Sequence, residues 1–120
     1  MDASIATDMA AIQYARSVGM AVHISTQSNI SNIEAVRFFA QWADVVVLAR
    51  ELDLVQVARI SREIERQRIT GPGGELVRIE MFAHGALCMS ISGKCYLSLH
   101  TSDGFTANRG ACRQICRRKL

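Results

Sequence analysis

The first 87 residues contain no cysteine, and nowhere in the 120-residue chain is there an apolar run long enough for a membrane helix, which needs roughly 18 to 20 residues. The first absence confines thiol chemistry to the last third of the chain, and the second excludes a spanning helix. The N-terminus, Met1-Asp2-Ala3-Ser4, lacks the basic stretch and apolar core of a signal peptide. A cytoplasmic location is therefore expected, and disulfides are not. There is no low-complexity segment, no H-E-x-x-H helix and no G-x-S-x-G elbow, so zincin and α/β-hydrolase chemistries have no support. With 49% hydrophobic and 21% charged residues, the chain reads as globular, long enough for one domain with a core and too short for two.

The net charge of +3 is unevenly spread. Residues 1–107 carry nine Lys/Arg against eleven Asp/Glu, whereas the last thirteen carry Arg109, Arg113, Arg117, Arg118 and Lys119 and no acid. Such a tail can bind phosphates, or it can simply complement a helix C-terminus and stay solvated.

Apolar periodicity alternates between strand-like and helix-like. Ser4-Ile5-Ala6 reads as the end of a strand, and Asp8 is placed to cap a helix from Met9 to Val18 that Gly19 stops. Ala21 to Ser25 is a short strand. Ser31 and Glu34 suggest a capping box for a helix to about Trp42, with Ile33, Val36 and Phe39 or Ala40 inward. Val45 to Ala49 is a continuous apolar run of the kind buried in parallel sheets. Asp53 caps a further helix with Leu54, Val57, Ala58, Ile60 and Ile64 on one side, and Gly71-Pro72-Gly73-Gly74 turns the chain into a strand from Leu76 to Phe82. The fold class expected is α/β: four parallel strands and three helices, either half of a (β/α) barrel or a small open sheet, over residues 1–83. Residues 84–120 form an irregular cysteine-rich segment, with weak helical periodicity around Cys95 to His100 and Asn108 to Arg118.

Cys88, Cys95, Cys112 and Cys116 follow the spacing C-x6-C-x16-C-x3-C. Four thiolates this close in sequence can form a structural zinc site or hold an iron–sulfur cluster, and the absence of a C-x2-C knuckle leaves both metals open. The alternative is four independent buried thiols.

Two stretches carry a more specific signal. Glu80-Met81-Phe82-Ala83-His84-Gly85-Ala86-Leu87-Cys88 followed by Ser92-Gly93-Lys94-Cys95-Tyr96-Leu97-Ser98, and then Asn108-Arg109-Gly110-Ala111-Cys112-Arg113-Gln114-Ile115-Cys116-Arg117, resemble the signature of the collagenase-like peptidase family U32. His23-Ile24-Ser25-Thr26-Gln27, Asn32 with Glu34 to Phe38, and Val47 to Leu52 are similar to the same family's pattern, so the resemblance covers nearly the whole chain. It implies a TIM-like barrel of which this chain is a fragment. It also implies peptidase activity in some members, and hydroxylation of RNA bases or of a quinone precursor in others. The latter bind a 4Fe-4S cluster through cysteines at positions comparable to Cys88, Cys95, Cys112 and Cys116; in some the fourth ligand lies further downstream.

The remaining polar candidates gather at the C-terminal ends of the expected strands, where barrel enzymes keep their sites. Gln27 and Asn29 follow the second strand, Arg50 and Glu51 the third, and His84 the fourth. Gln27, Asn29 and Arg50 are candidate substrate contacts, Arg50 through its planar fork. His84 and Glu51 are candidate acid–base groups; each also has a plain reading as a loop or packing residue. The leading expectation is an iron–sulfur hydroxylase acting on RNA or an aromatic ring. The alternatives are a peptidase using His84 and a cysteine, and an inactive fragment. An RNA or peptide substrate, no membrane, and a homo-oligomer that covers the half-barrel's open edges complete the expectations.

Overall fold

A computed structural model of the chain describes residues 2–85, 87–101 and 104–117. Four strands, β1 (Ala3–Ala6), β2 (Ala21–Ile24), β3 (Val45–Val47) and β4 (Arg78–Glu80), are joined by the helices α1 (Met9–Ser17), α2 (Ile33–Phe39) and α3 (Leu54–Gln67). The strands lie in the order β1-β2-β3-β4, every neighbouring pair parallel. Each strand thus pairs with the next in sequence, with no reversal of order. This is the arrangement of consecutive strands along the arc of a (β/α) barrel, and the α/β class expected from the alternating periodicity is the one adopted.

The core lies between the sheet and the helices. Val22, Ile24, Val46 and Leu48 project from one sheet face and meet Ile12 and Ala15 of α1, Val36 of α2, and Ile60 and Ile64 of α3, all of them buried. The local reasons for these elements are visible at their ends. Asp8 accepts the Ala11 N–H at 3.0 Å and starts α1, and Gly19, at φ +74°, lets the chain leave it. Asp53 and Gln56 exchange hydrogen bonds of 2.7 and 2.9 Å in a full capping box on α3.

Several boundaries differ from the sequence expectation. The cap of α2 is Asn32, which accepts the Ala35 N–H at 2.9 Å from an extended backbone; Glu34, instead of reaching back to Ser31, pairs with Arg37 at 2.6 Å. That helix ends at Phe39, where Trp42 N–H turns back onto the Phe39 carbonyl at 3.0 Å, short of Trp42 itself. Leu54 and Ala58 are exposed, not inward. Ala58 stands about 100° around the helix from Val57 and off the Val57–Ile60–Ile64 stripe, and Leu54 lies in the first turn, outside the core cluster.

Gly71 admits no side chain, because a Cβ there would sit 2.8 Å from the Asp44 Cα. The Gly73 N–H donates to Asp44 Oδ1 at 2.7 Å and the Arg78 N–H to the Asp44 carbonyl at 2.9 Å, so this turn is strapped to the start of β3 and sets the register of β4. Strand β4 is shorter than the expected Leu76 to Phe82 because its ladder with β3 ends where Leu48 N–H bonds the Glu80 carbonyl at 3.0 Å.

Beyond Glu80 the chain is mostly irregular. The described residues there contain α4 (Leu97–Thr101) and two short 3-10 turns, Ala107–Arg109 and Ile115–Arg117. The helix anticipated over Asn108 to Arg118 does not form across the described residues, since Gly110 (φ +79°) and Gln114 (φ +53°) adopt left-handed backbone between the turns. Arg118 and Lys119 lie outside the described residues.

Candidate functional site

The ends of β2, β3 and β4 open onto a cavity of about 900 Å³, roofed by the cysteine-rich segment and within the size range of ligand sites. Gln27 follows β2, Arg50 and Glu51 follow β3, and His84 follows β4; all four line the cavity, together with Cys88, Cys95 and Cys112.

Ser92 holds the roof on. The residue is 1% exposed, the most buried polar residue among those described in the segment. The Ser92 hydroxyl accepts the Arg50 backbone N–H at 3.3 Å and lies 3.5 Å from Thr26 Oγ1, which itself donates to the Leu48 carbonyl at 3.2 Å. The Ser92 N–H donates to Glu51 Oε1 at 2.8 Å. Next to it, Gly93 (φ +75°) rests on Gln27: an added Cβ would lie 3.0 Å from the Gln27 carbonyl carbon and closer still to its oxygen. The Gln27 side chain in turn donates to the Ala107 carbonyl at 2.5 Å, reaching the far end of the segment.

The electrostatics follow from these contacts. Desolvation raises the Glu51 pKa, but hydrogen bonds from the Ser92 and Glu51 backbone N–H groups and the Ser92 hydroxyl, with the Arg50 charge, outweigh it and leave the carboxyl below its ordinary value. Glu51 is therefore an ionised brace for the roof. The Arg50 guanidinium donates to the Ser90 carbonyl at 2.9 Å. The Cys88 thiol is pulled below its usual value by the backbone hydrogen bond at Ser90 first and by the Arg50 side chain next, with a smaller contribution from the Arg117 charge. Arg117 also lines the cavity and donates to the Leu87 carbonyl at 3.0 Å, while the Arg113 guanidinium stacks 3.9 Å over the Phe105 ring.

Two sequence candidates stand apart. Asn29 does not line the cavity; its left-handed backbone (φ 51°) closes the turn at Thr26–Ser28, with its N–H on the Thr26 carbonyl at 3.0 Å. Cys116 lies in the Ile115–Arg117 turn outside the cavity lining. His84 is exposed and, among the described residues, has no hydrogen-bond partner, so no thiol–imidazole pair is formed. All four cysteines are free thiols. Among the described residues no three His, Cys, Asp or Glu side chains form a group that could hold a metal ion. A single zinc needs four donors converging at about 2.0–2.3 Å. Cys88, Cys95 and Cys112 instead stand around a wide cavity.

Sequence reasoning gave no role to Ser92 and Gly93, although both are in the quoted signature, and overlooked a contact between His23 and Glu80. His23 Nδ1 lies 3.3 Å from Glu80 Oε2. The signal for the latter was available: strand alternation puts His23 opposite Val22 and Ile24, and Glu80 opposite Ile79.

Comparison with known proteins is unambiguous at the family level. The profile of Peptidase family U32 matches residues 1–120. A collagenase of Porphyromonas gingivalis is 63% identical over 98% of this chain and 28% of its own length. An uncharacterized protease of Methanocaldococcus jannaschii is 39% identical over 99% of the chain and 28% of its own. The 23S rRNA 5-hydroxycytidine synthase of Escherichia coli is 40% identical over 80% of the chain and 13% of its own. The chain thus spans about 28% of the length of the first two of these relatives. No solved structure matches.

Proposed function

The chain belongs to peptidase family U32, and from that membership we propose that it supplies the strand-end mouth and cysteine roof of an iron–sulfur enzyme that hydroxylates an RNA base or another aromatic ring. The observation that carries this reading is the gathering of Cys88, Cys95 and Cys112 around one cavity with Gln27, Arg50, Glu51 and His84. The similarity to the 23S rRNA 5-hydroxycytidine synthase supports this reaction class. The absence of a formed nucleophile–base pair at His84 weighs against hydrolysis.

In this reading Cys88, Cys95 and Cys112 would hold a 4Fe-4S cluster, with Cys116 or a residue outside this chain as fourth ligand. The cluster would supply one-electron redox chemistry next to the substrate. Arg50 and Arg117 favour the thiolate form that ligation requires. Glu51 and Ser92 hold the roof in place, Gln27 and His84 present polar groups to a ring entering the cavity, and the basic residues near the C-terminus attract phosphates. A cytoplasmic location accords with an RNA substrate, and self-association through the edges β1 and β4 accords with an open sheet.

The test is anaerobic purification followed by iron and sulfide analysis. Brown protein with a visible sulfur-to-iron charge-transfer band, lost on Cys88→Ser, is expected; colourless protein without iron rejects the reading. The resemblance to the collagenase favours a second reading, a peptidase acting on unfolded or collagen-like chains. Gelatin hydrolysis that survives iron chelation and disappears in His84→Ala would establish that reading in place of the first.

A further inference from the structure

His23 and Glu80 project from the sheet face turned away from the helices, on either side of the buried Val45 and Val47. The register fixes this: His23 is paired with Val45, and Val47 with Glu80, so these four side chains share a face. Val22, Ile24 and Val46 occupy the other, inside the helix-packed core, from which Val45 and Val47 are missing. The remaining two ion pairs among the described residues join positions three apart on helix surfaces. The His23–Glu80 pair instead links residues 57 apart and reaches from β2 across β3 to the last residue of β4.

We propose that Glu80 fixes His23 as the Nδ1–H tautomer, leaving Nε2 as the proton acceptor for a hydroxyl or ring N–H of a ligand on this sheet face. An ionised carboxylate can only accept hydrogen bonds, so the ring nitrogen 3.3 Å from Glu80 Oε2 must carry the proton. In a neutral imidazole the other nitrogen then holds the free lone pair. When Nε2 takes a proton, the ligand is left as an anion and His23 becomes an imidazolium whose charge lies against Glu80. This is the division of labour of a base and its orienting carboxylate. The His23 side chain is 29% exposed, open enough for a ligand yet held by its partner. Arg78, paired with Val45, adds a cation to the same face.

Neither His23 nor Glu80 lines the strand-end cavity, so the inference stands apart from the cysteine site. Glu80 is the positioning residue and His23 the group that meets the ligand. The test is a long-range ¹H–¹⁵N spectrum of the imidazole rings in the full 120-residue chain at about pH 8, where free histidine is neutral. His23→Gln assigns the signals. The expected result is a His23 ring protonated at Nδ1 that moves toward the Nε2–H form, preferred by free imidazole, in Glu80→Ala. Carbethoxylation of His23 at Nε2 by diethyl pyrocarbonate, mapped by mass spectrometry, is expected in the unsubstituted protein. A wild-type ring protonated at Nε2 overturns the proposal, as does a His23 that resists the reagent while exposed His84 reacts. Iron measured on the same samples keeps the two readings separate: a chain without iron but with Nδ1–H His23 sinks only the cluster, and an iron-loaded chain with Nε2–H His23 sinks only the base.

Discussion

Residues 3–80 bury seventeen hydrophobic side chains among the sheet and its three helices, whereas the described residues from 81 to 117 bury only two residues, both serines, Ser92 and Ser98. In the second region the large apolar groups face outward: Leu87 is 84% exposed and Met89 82%. The first region is therefore ordered by apolar burial, at about 25 cal/mol for each Å² removed from water. The second is held by hydrogen bonds to the strand ends, each worth only about 0.5–1.5 kcal/mol net. A segment with so little core depends on these few contacts for its order, and the cluster proposed above would add to them.

The largest effect should separate the regions. Ile24→Ala, in the centre of the sheet, is expected to cost about 2–5 kcal/mol in denaturant unfolding. Leu87→Ala should stay within about 0.5 kcal/mol. Equal losses at the two sites would erase the distinction. Next in size, Gly93→Ala forces a side chain into left-handed backbone, at about 1–2 kcal/mol, and against the Gln27 carbonyl. The roof should then open about tenfold more often, read as faster tryptic cleavage at Lys94 with an unchanged unfolding midpoint of the sheet.

How far these regions could be read from the sequence follows the same divide. Apolar periodicity exposed β2, α1 and α3 because a buried face imposes a period, the continuous apolar run exposed β3 because both its faces are buried, and Asp8 and Asp53 marked helix starts because their side chains answer unpaired N–H groups. The α2 cap was misplaced from Asn32 to Ser31 since both residues are competent and only the backbone decides between them. In the roof there is no period to read. Its contacts are single hydrogen bonds between distant residues, such as Ser92 with Arg50 and Gln27 with Ala107, and no local pattern announces them. Arg50, Glu51, His84, Cys88, Cys95 and Cys112 nonetheless line one cavity, because strand ends converge. Asn29, two residues past Gln27, had already turned away.

The smallest effect is a pH response confined to the roof. Because folding lowers the Glu51 pKa, the ionised form is the one the fold favours. Its contribution is complete above the ordinary value of 4.5 and is lost as pH falls through the lowered folded value. Amide exchange at Ser92 should stay slow from neutrality down to about that point and quicken below it. Glu51→Gln should abolish the pH step, while the sheet amides of Ile24 and Val46 show none in either protein.

Hydrogen exchange across the two regions, recorded before and after anaerobic loading with iron and sulfide, tests the difference at its root. Slower exchange at 87–95 and 107–116 on loading, with 21–24 and 45–48 unaltered, is the expected result. A roof that exchanges identically with and without the metal, or that retains no iron, would contradict it.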